Sequence, residues 1–239
     1  MNQYGNFGEV QSDLRGIIDV AERTRKFLVV QGIDYRSQDA RQLALEGIQC
    51  DVAACGNWIN SLLGLKNLCM EHYGEQWESE YLRILGTRLS AGIAEDLMLD
   101  YLRNMITTKI HFKIDNLFKN ILRHLDELPS RGGFWRLSSG MLEQLGMSST
   151  GAEKRTLTIL ANLRNSFHNN GMHKNADLRH EVRGLVFEFR RDERVECNSW
   201  AHIVVAIHEN VVLLDCFFRS NLLSNITDEI RDEFAWEIE

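Results

Sequence analysis

The chain has 239 residues, 44% of them hydrophobic, and a formal net charge of −7. That apolar content is enough for a substantial core and excludes wholesale disorder, while the acidic balance excludes a nucleic-acid binder that is basic over its whole surface. The single proline, Pro129, favours long uninterrupted helices, because proline inside a helix costs about 3 kcal/mol. It argues against an all-β fold with its many turns.

In chain order, residues 9–32 read as a helix, with Leu14, Ile17, Ile18, Ala21 and Phe27/Leu28 near helical spacing. A longer helix is expected from Ser37, as its cap, to about Tyr73, with Gly74 ending it. Gly47, Gly56 and Gly64 interrupt this stretch and point to a kink or a close helix contact. Residues 77–105 form a third helical region and 109–128 a fourth. In the fourth, Ile110, Ile114, Leu117/Phe118, Ile121/Leu122 and Leu125 make one apolar stripe.

Pro129-Ser130-Arg131-Gly132-Gly133 reads as a loop, residues 134–145 as a short helix and 148–151 as another break. Residues 152–169 form the next helix, with Asn170 and Gly171 suited to its C-terminus. Leu185, Phe187 and Phe189 then alternate with Val186, Glu188 and Arg190, a strand period. With the polar run 191–194 as its tip and 195–197 as the return, this predicts a small β-hairpin near residues 184–198. Ser199 is placed to cap an apolar helix on which Trp200, Ile203, Ile207, Val211, Leu214 and Phe218 share a face, and a short helix is expected over 227–236. The fold class is therefore mainly α, a helical bundle with a small β-hairpin. Its division falls into an N-terminal helical region, 1–106, and a helical bundle carrying the hairpin, 107–239.

Residues 203–218 are the most apolar segment, but His208, Glu209, Asn210 and Asp215 break it, so a core helix is expected rather than a membrane span. The first residues have neither a basic start nor an apolar run, so no signal peptide is expected and the location is taken as cytoplasmic. Cysteines 50, 55, 69, 197 and 216 are odd in number and lack a Cys-x-x-Cys pair, the pattern of buried thiols in a reducing compartment. His168, His173, His180 and Cys197 match no familiar zinc spacing, so neither metal nor cofactor is expected.

Charge is uneven: residues 154–194 hold nine Lys/Arg against five Asp/Glu. A local positive patch of this kind suits a phosphate backbone. At 100° per residue with Leu160 at zero, Leu157, Leu160, Ala161, Leu163 and Phe167 define a buried arc. Thr158, Arg155, Asn162 and Ser166 fall on the wet side. Arg164 and His168 lie inside the arc at roughly 40° and 80°, one turn apart, with Asn165 at its border. A charge on a buried face requires a partner or a ligand. Unpaired carbonyls at the helix end favour a cation there, and an imidazole is an acid or base usable near neutrality. An arginine holds phosphate bidentately. Such a pair suits RNA cleavage by the adjacent 2′-hydroxyl, with His168 moving the proton and Arg164 stabilising the transition-state charge. A bland reading stands beside it, in which Arg164 pairs with a core or interface carboxylate and His168 with a backbone carbonyl.

The run Leu163-Arg164-Asn165-Ser166-Phe167-His168-Asn169-Asn170-Gly171 resembles the Arg-Asn…His signature of the HEPN superfamily. The resemblance covers this motif and a compatible helical pattern over about residues 107–239. Three residues separate Arg164 from His168, fewer than the four to six usual in that family. What the resemblance implies is a metal-independent endoribonuclease, homodimeric, with a composite cleft, acting in phage defence or a toxin–antitoxin system with an antitoxin or regulatory partner. Arg164 and His168 would be catalytic, Asn165 would orient them, and His173, Lys174, Arg179 and Arg183 would hold RNA. Two rivals are a catalytically inactive HEPN-like module that binds RNA or a partner, and an unrelated helical scaffold.

Overall fold

A computed structural model describes residues 7–127 and 133–232. Helix α1 (Phe7–Val30) leads into α2 (Ala40–Tyr73), then α3 (Trp77–Leu85) and α4 (Ala91–His124). Helix α5 (Phe134–Gln144) and α6 (Ala152–His168) follow, then strands β1 (Leu178–Val182) and β2 (Leu185–Phe189), and finally α7 (Trp200–Phe218) and the single turn α8 (Asn221–Ser224). The protein is a mainly α bundle with one small antiparallel hairpin. The proline-containing loop expected at 129–133 lies, up to residue 132, outside the described residues.

One core joins Leu14, Ile17 and Ala21 of α1 to Ile48 and Val52 of α2, Ile110 and Phe118 of α4, Leu160 of α6 and Ile207 of α7. Burial of each such aliphatic side chain stabilises the fold by about 1.5–3 kcal/mol. Helix α7, although apolar and long enough to cross a membrane, has most of its surface packed inside this core. A smaller cluster, Cys69, Tyr81 and Ala91, seals α3 against α2 and α4.

Several boundaries differ from the sequence reading, each for a local reason. The cap of α2 is Asp39, whose side chain accepts from the Arg41 amide, rather than Ser37. The helix runs through its three glycines without a break, and Gly47 is a close contact instead: a Cβ there would come within 2.5 Å of the Lys113 side chain of α4. The break expected near 106–108 is absent. It lies at 86–90, where Gly86 takes a left-handed φ of 69° and ends α3 before Ser90 opens α4. The division drawn at 106/107 therefore falls inside α4, and the main core is continuous across it.

The hairpin is correct in kind but its partner strand is upstream. Leu178 pairs with Phe189 and Val182 with Leu185, around a two-residue turn in which Arg183 and Gly184 have φ of 50° and 76°. Positive φ at both central residues matches the twist of the flanking strands. The polar run 191–194 is thus not the tip. Residues 194–195 lie against the loop after α6, with the Val195 amide donating to the Gly171 carbonyl at 2.8 Å. Residues 227–232 are not helical; Arg231 bridges to Asp39, and the remainder of the helix expected over 227–236 lies outside the described residues. Of the cysteines expected to be buried, Cys55, Cys69 and Cys197 are, but Cys50 and Cys216 are exposed.

Candidate functional site

Helices α4, α5 and α6, with the turn at 149–150 and the loop at 175–178, enclose a cavity of about 790 Å³. Helix α6 supplies one wall because it is buried on more of its circumference than the apolar arc alone requires. Asn162 and Ser166, expected on the wet side, are buried. Asn162 Oδ1 accepts from Asn175 at 3.2 Å and Ser166 donates to the Leu163 carbonyl at 2.7 Å, which satisfies both polar groups. Asn162 lines the cavity with Thr158, Ala161 and Asn165 on one face of α6, and Arg164 lies beside them.

Arg164 lies over the Phe112 ring of α4, its guanidinium carbon 4.8 Å from the ring centroid. One terminal nitrogen donates to Asn165 Oδ1 at 2.9 Å. The Nε is buried and has no partner among the described residues. Among the described residues no carboxylate holds this cation, so the core ion pair of the bland reading is not formed within them.

His111, one residue before Phe112, also lines the cavity and is 6% exposed. It packs on Phe134 with centroids 4.6 Å apart, and neither ring nitrogen has a hydrogen-bond partner among the described residues. Desolvation pushes its pKa down to about 4, the Asp115 carboxylate opposing and the nearby Arg164 and Lys119 cations reinforcing the shift. The imidazole is therefore neutral near pH 7. Asp115, one helical turn on, is held by Lys119 at 2.5 Å.

At the other end of the cavity Lys154 is 2% exposed. Its ammonium donates to the Trp135 carbonyl at 2.5 Å, Ser138 at 2.7 Å and Ser139 at 2.8 Å, and sits 4.0 Å from the Trp135 ring centroid. Burial lowers its pKa to about 8, with Glu143 opposing. All three of its donors are used, so Lys154 contributes positive potential to the cavity rather than a free hydrogen bond.

The other residues singled out by sequence lie elsewhere. His168 is exposed and is not part of the cavity wall, which on α6 ends at Asn165. The pair Arg164–His168 does not share one crevice within the chain: the last turn of α6 projects past the cavity. His173 is 1% exposed, its Nε2 bonded with the Ala176 carbonyl at 2.9 Å and its ring packed on Phe189. It is buried away from the surface and does not line the cavity, and its Nδ1 has no partner among the described residues. Lys174 pairs with Asp192 at 2.9 Å, Arg183 at the hairpin turn pairs with Glu209 at 2.7 Å, and Arg179 is exposed on β1 opposite Glu188. None of the three lines the cavity. Among the described residues there is no cluster of three or more metal-ligating side chains.

No known protein family, curated protein or solved structure matches the chain.

Proposed function

We propose that this protein is a HEPN-like RNA-binding module whose binding centre is the cavity beside Arg164 and Asn165. The observation that carries the reading is Arg164, a permanent cation that no carboxylate among the described residues pairs, its Nε buried and partnerless there, beside a cavity walled by Phe112, Phe134 and Trp135. Single-stranded nucleic acid is held by this combination, a cation for the phosphate and aromatic faces for unstacked bases. The Lys154 ammonium adds positive potential on an otherwise acidic chain.

The placement of His168 outside the cavity favours binding over cleavage by a single chain, because an acid–base group must reach the proton that it transfers. A second reading keeps the ribonuclease. His168 is exposed at the end of α6, one turn beyond Arg164, where the corresponding segment of a second copy could meet it in a homodimer. A role in phage defence or beside an antitoxin, in the cytoplasm, rests on the motif resemblance.

The test is incubation of the purified protein with total RNA and with fluorescein-labelled single-stranded RNA in EDTA. The binding reading expects retention of labelled RNA without cleavage, weakened by Arg164→Ala and unchanged by His168→Ala. Metal-independent cleavage that both substitutions abolish, and that returns when the two variants are mixed, would replace it with the dimeric ribonuclease. Absence of any RNA interaction would remove both.

A further inference from the structure

We propose that the cavity takes one unstacked nucleotide base-first, with the base edge on the imidazole of His111 and the phosphate on the guanidinium of Arg164. The inference rests on the RNA-binding reading and assigns His111, a residue outside the Arg-Asn-x-x-His motif, as the group that reads the ligand.

Three observations point to it. First, His111 is 6% exposed, lines the cavity and leaves both ring nitrogens without a partner. Buried polar groups are ordinarily paired, so an imidazole at a cavity wall with no partner among the described residues is a site for a ligand hydrogen bond, reached when the ring turns a buried nitrogen toward the cavity. Second, the neutral ring offers one donor and one acceptor in a single plane. The two nitrogens point to opposite sides of the ring, so one of them meets the base edge, as donor or acceptor according to tautomer, and a neutral ring that can take either role suits a base, which presents both donors and acceptors, better than a bare anion. The environment keeps the ring in that form, because burial and the neighbouring Arg164 and Lys119 cations hold it neutral against the pull of Asp115.

Third, the lining combines aromatic rings with four cations, Lys119, Lys154, Arg155 and Arg164, against two carboxylates, Asp115 and Asp177. His111 packs against Phe134 at 4.6 Å and Phe112 at 6.0 Å between centroids, so the wall beside it is aromatic, and the exposed Trp135 of the same cavity offers an indole ring on which a base can stack. Arg164 lies over the far partner of that group, Phe112, at 4.8 Å, within one nucleotide's reach of the imidazole. Its Nε is buried and unpaired, and one terminal nitrogen is fixed by Asn165, which presets the plane of the guanidinium for a phosphate. A cavity of about 790 Å³ lies within the ordinary range for small-ligand sites of roughly 300–1,000 Å³.

The experiment titrates the full chain by calorimetry with the four ribonucleoside 5′-monophosphates, with the matching nucleosides and with inorganic phosphate, and measures labelled single-stranded RNA in parallel by anisotropy. The variants are His111→Phe, which keeps an aromatic ring in place and removes both nitrogens, and Arg164→Ala; thermal melts show that each is folded. At least one monophosphate is expected to bind more tightly than its nucleoside or phosphate alone and to shift the His111 side-chain ¹⁵N resonances. His111→Phe should then weaken that monophosphate about tenfold or more, and Arg164→Ala should reduce its affinity to that of the nucleoside. RNA bound equally well by wild type and a folded His111→Phe, with no monophosphate binding, overturns this proposal and leaves the RNA-binding reading in place. Phosphate binding as tightly as any monophosphate, indifferent to His111→Phe, overturns it as well. Failure of RNA and monophosphates alike overturns both.

Discussion

Arg164 of α6 rests on the ring of Phe112 of α4, 4.8 Å from guanidinium carbon to ring centroid, and this contact is what holds the motif arginine at the cavity instead of in solvent. A cation on an aromatic face is worth about 0.5–1 kcal/mol at an open site and more when desolvated. Here it also fixes direction. Phe112 is 45% exposed, so its substitution is expected to leave the fold intact while loosening Arg164. Phe112→Ala should therefore lower RNA affinity severalfold with little change in melting temperature. Arg164→Ala should lower it about tenfold to a hundredfold, the range of a lost charge-assisted hydrogen bond. Anisotropy with labelled single-stranded RNA measures both. An unchanged affinity in Arg164→Ala would remove the cavity from the binding surface.

His111 makes stability depend on pH. Its folded pKa is depressed to about 4 from 6.5, chiefly by desolvation. Above pH 6.5 the ring is neutral in both states and the native fold is unpenalised. As pH falls from about 6.5 toward 4 the unfolded chain takes up a proton that the native chain does not, so stability is lost across that window. The full loss is about 3 kcal/mol for a shift of this size. Chemical denaturation at pH 7 and pH 4.5 is expected to show this component in wild type and not in His111→Phe. At pH 7 the variant should be at least as stable as wild type, because it removes two buried unsatisfied nitrogens, each carrying a penalty of about 1–3 kcal/mol. Equal pH slopes in the two proteins would show that the ring is solvated.

Lys154 shifts stability in the opposite part of the pH scale. Burial lowers its folded pKa to about 8 from 10.5. Below pH 8 the group is protonated in both states and the desolvation penalty is fully present. Between about 8 and 10.5 the native chain loses the proton first, so stability rises with pH in that interval. Lys154→Met keeps the length of the stem and removes the charge. The difference in melting temperature between wild type and Lys154→Met is expected to move in favour of wild type from pH 7.5 to pH 9.5. A constant difference would mean that the ammonium is not desolvated.

The fold was largely readable because hydrophobic period fixes helices strongly. The apolar stripe Ile110, Ile114, Phe118 and Ile121 and that of Ile203, Ile207, Val211 and Leu214 are both in the core. Ends and partners were less readable. Gly86 was passed over as a stop, since a glycine signals a left-handed cap only when the next residues leave the helix, as they do here from Thr87. Strand β1 is not legible because Leu178, His180 and Val182 alternate with the charged Arg179 and Glu181 too weakly to mark a strand without its partners Phe187 and Phe189. At the site, the wheel put Arg164 inside the buried arc, and it is half-buried at the cavity, but Arg155, Thr158 and Asn162 of the expected wet side line the cavity too. The wheel misplaced His168, because periodicity does not say where the neighbouring helix ends. His111 had a faint signal, the His111, Asp115, Lys119 series at successive helical turns. Lys154 had none, since its three acceptors come from Trp135, Ser138 and Ser139.

Far from the cavity, Asp39 and Arg41 tie the end of the described chain to the start of α2. Both side chains are essentially inaccessible, with Arg41 donating to Asp39 through Nε at 2.9 Å and through a terminal nitrogen at 2.7 Å. The other terminal nitrogen reaches the Ile226 carbonyl at 3.0 Å, and Asp39 Oδ2 accepts from the Ile230 amide at 3.0 Å. Removing one member of such a pair leaves a buried charge uncompensated and destabilises by about 3–5 kcal/mol. Arg41→Met is therefore expected to lower stability by about that amount, whereas Asp39→Asn with Arg41→Met together should cost less than the sum of the two single changes, because no unpaired charge remains. The segment 223–231 should become the first site of limited proteolysis in Arg41→Met, since its backbone loses the carbonyl and amide contacts that hold it. Urea midpoints for the two single variants and the double variant, with mass spectrometry of the first proteolytic fragments, measure both effects. Additive losses, or first cleavage elsewhere, would show that the pair does not act as a clamp on this segment.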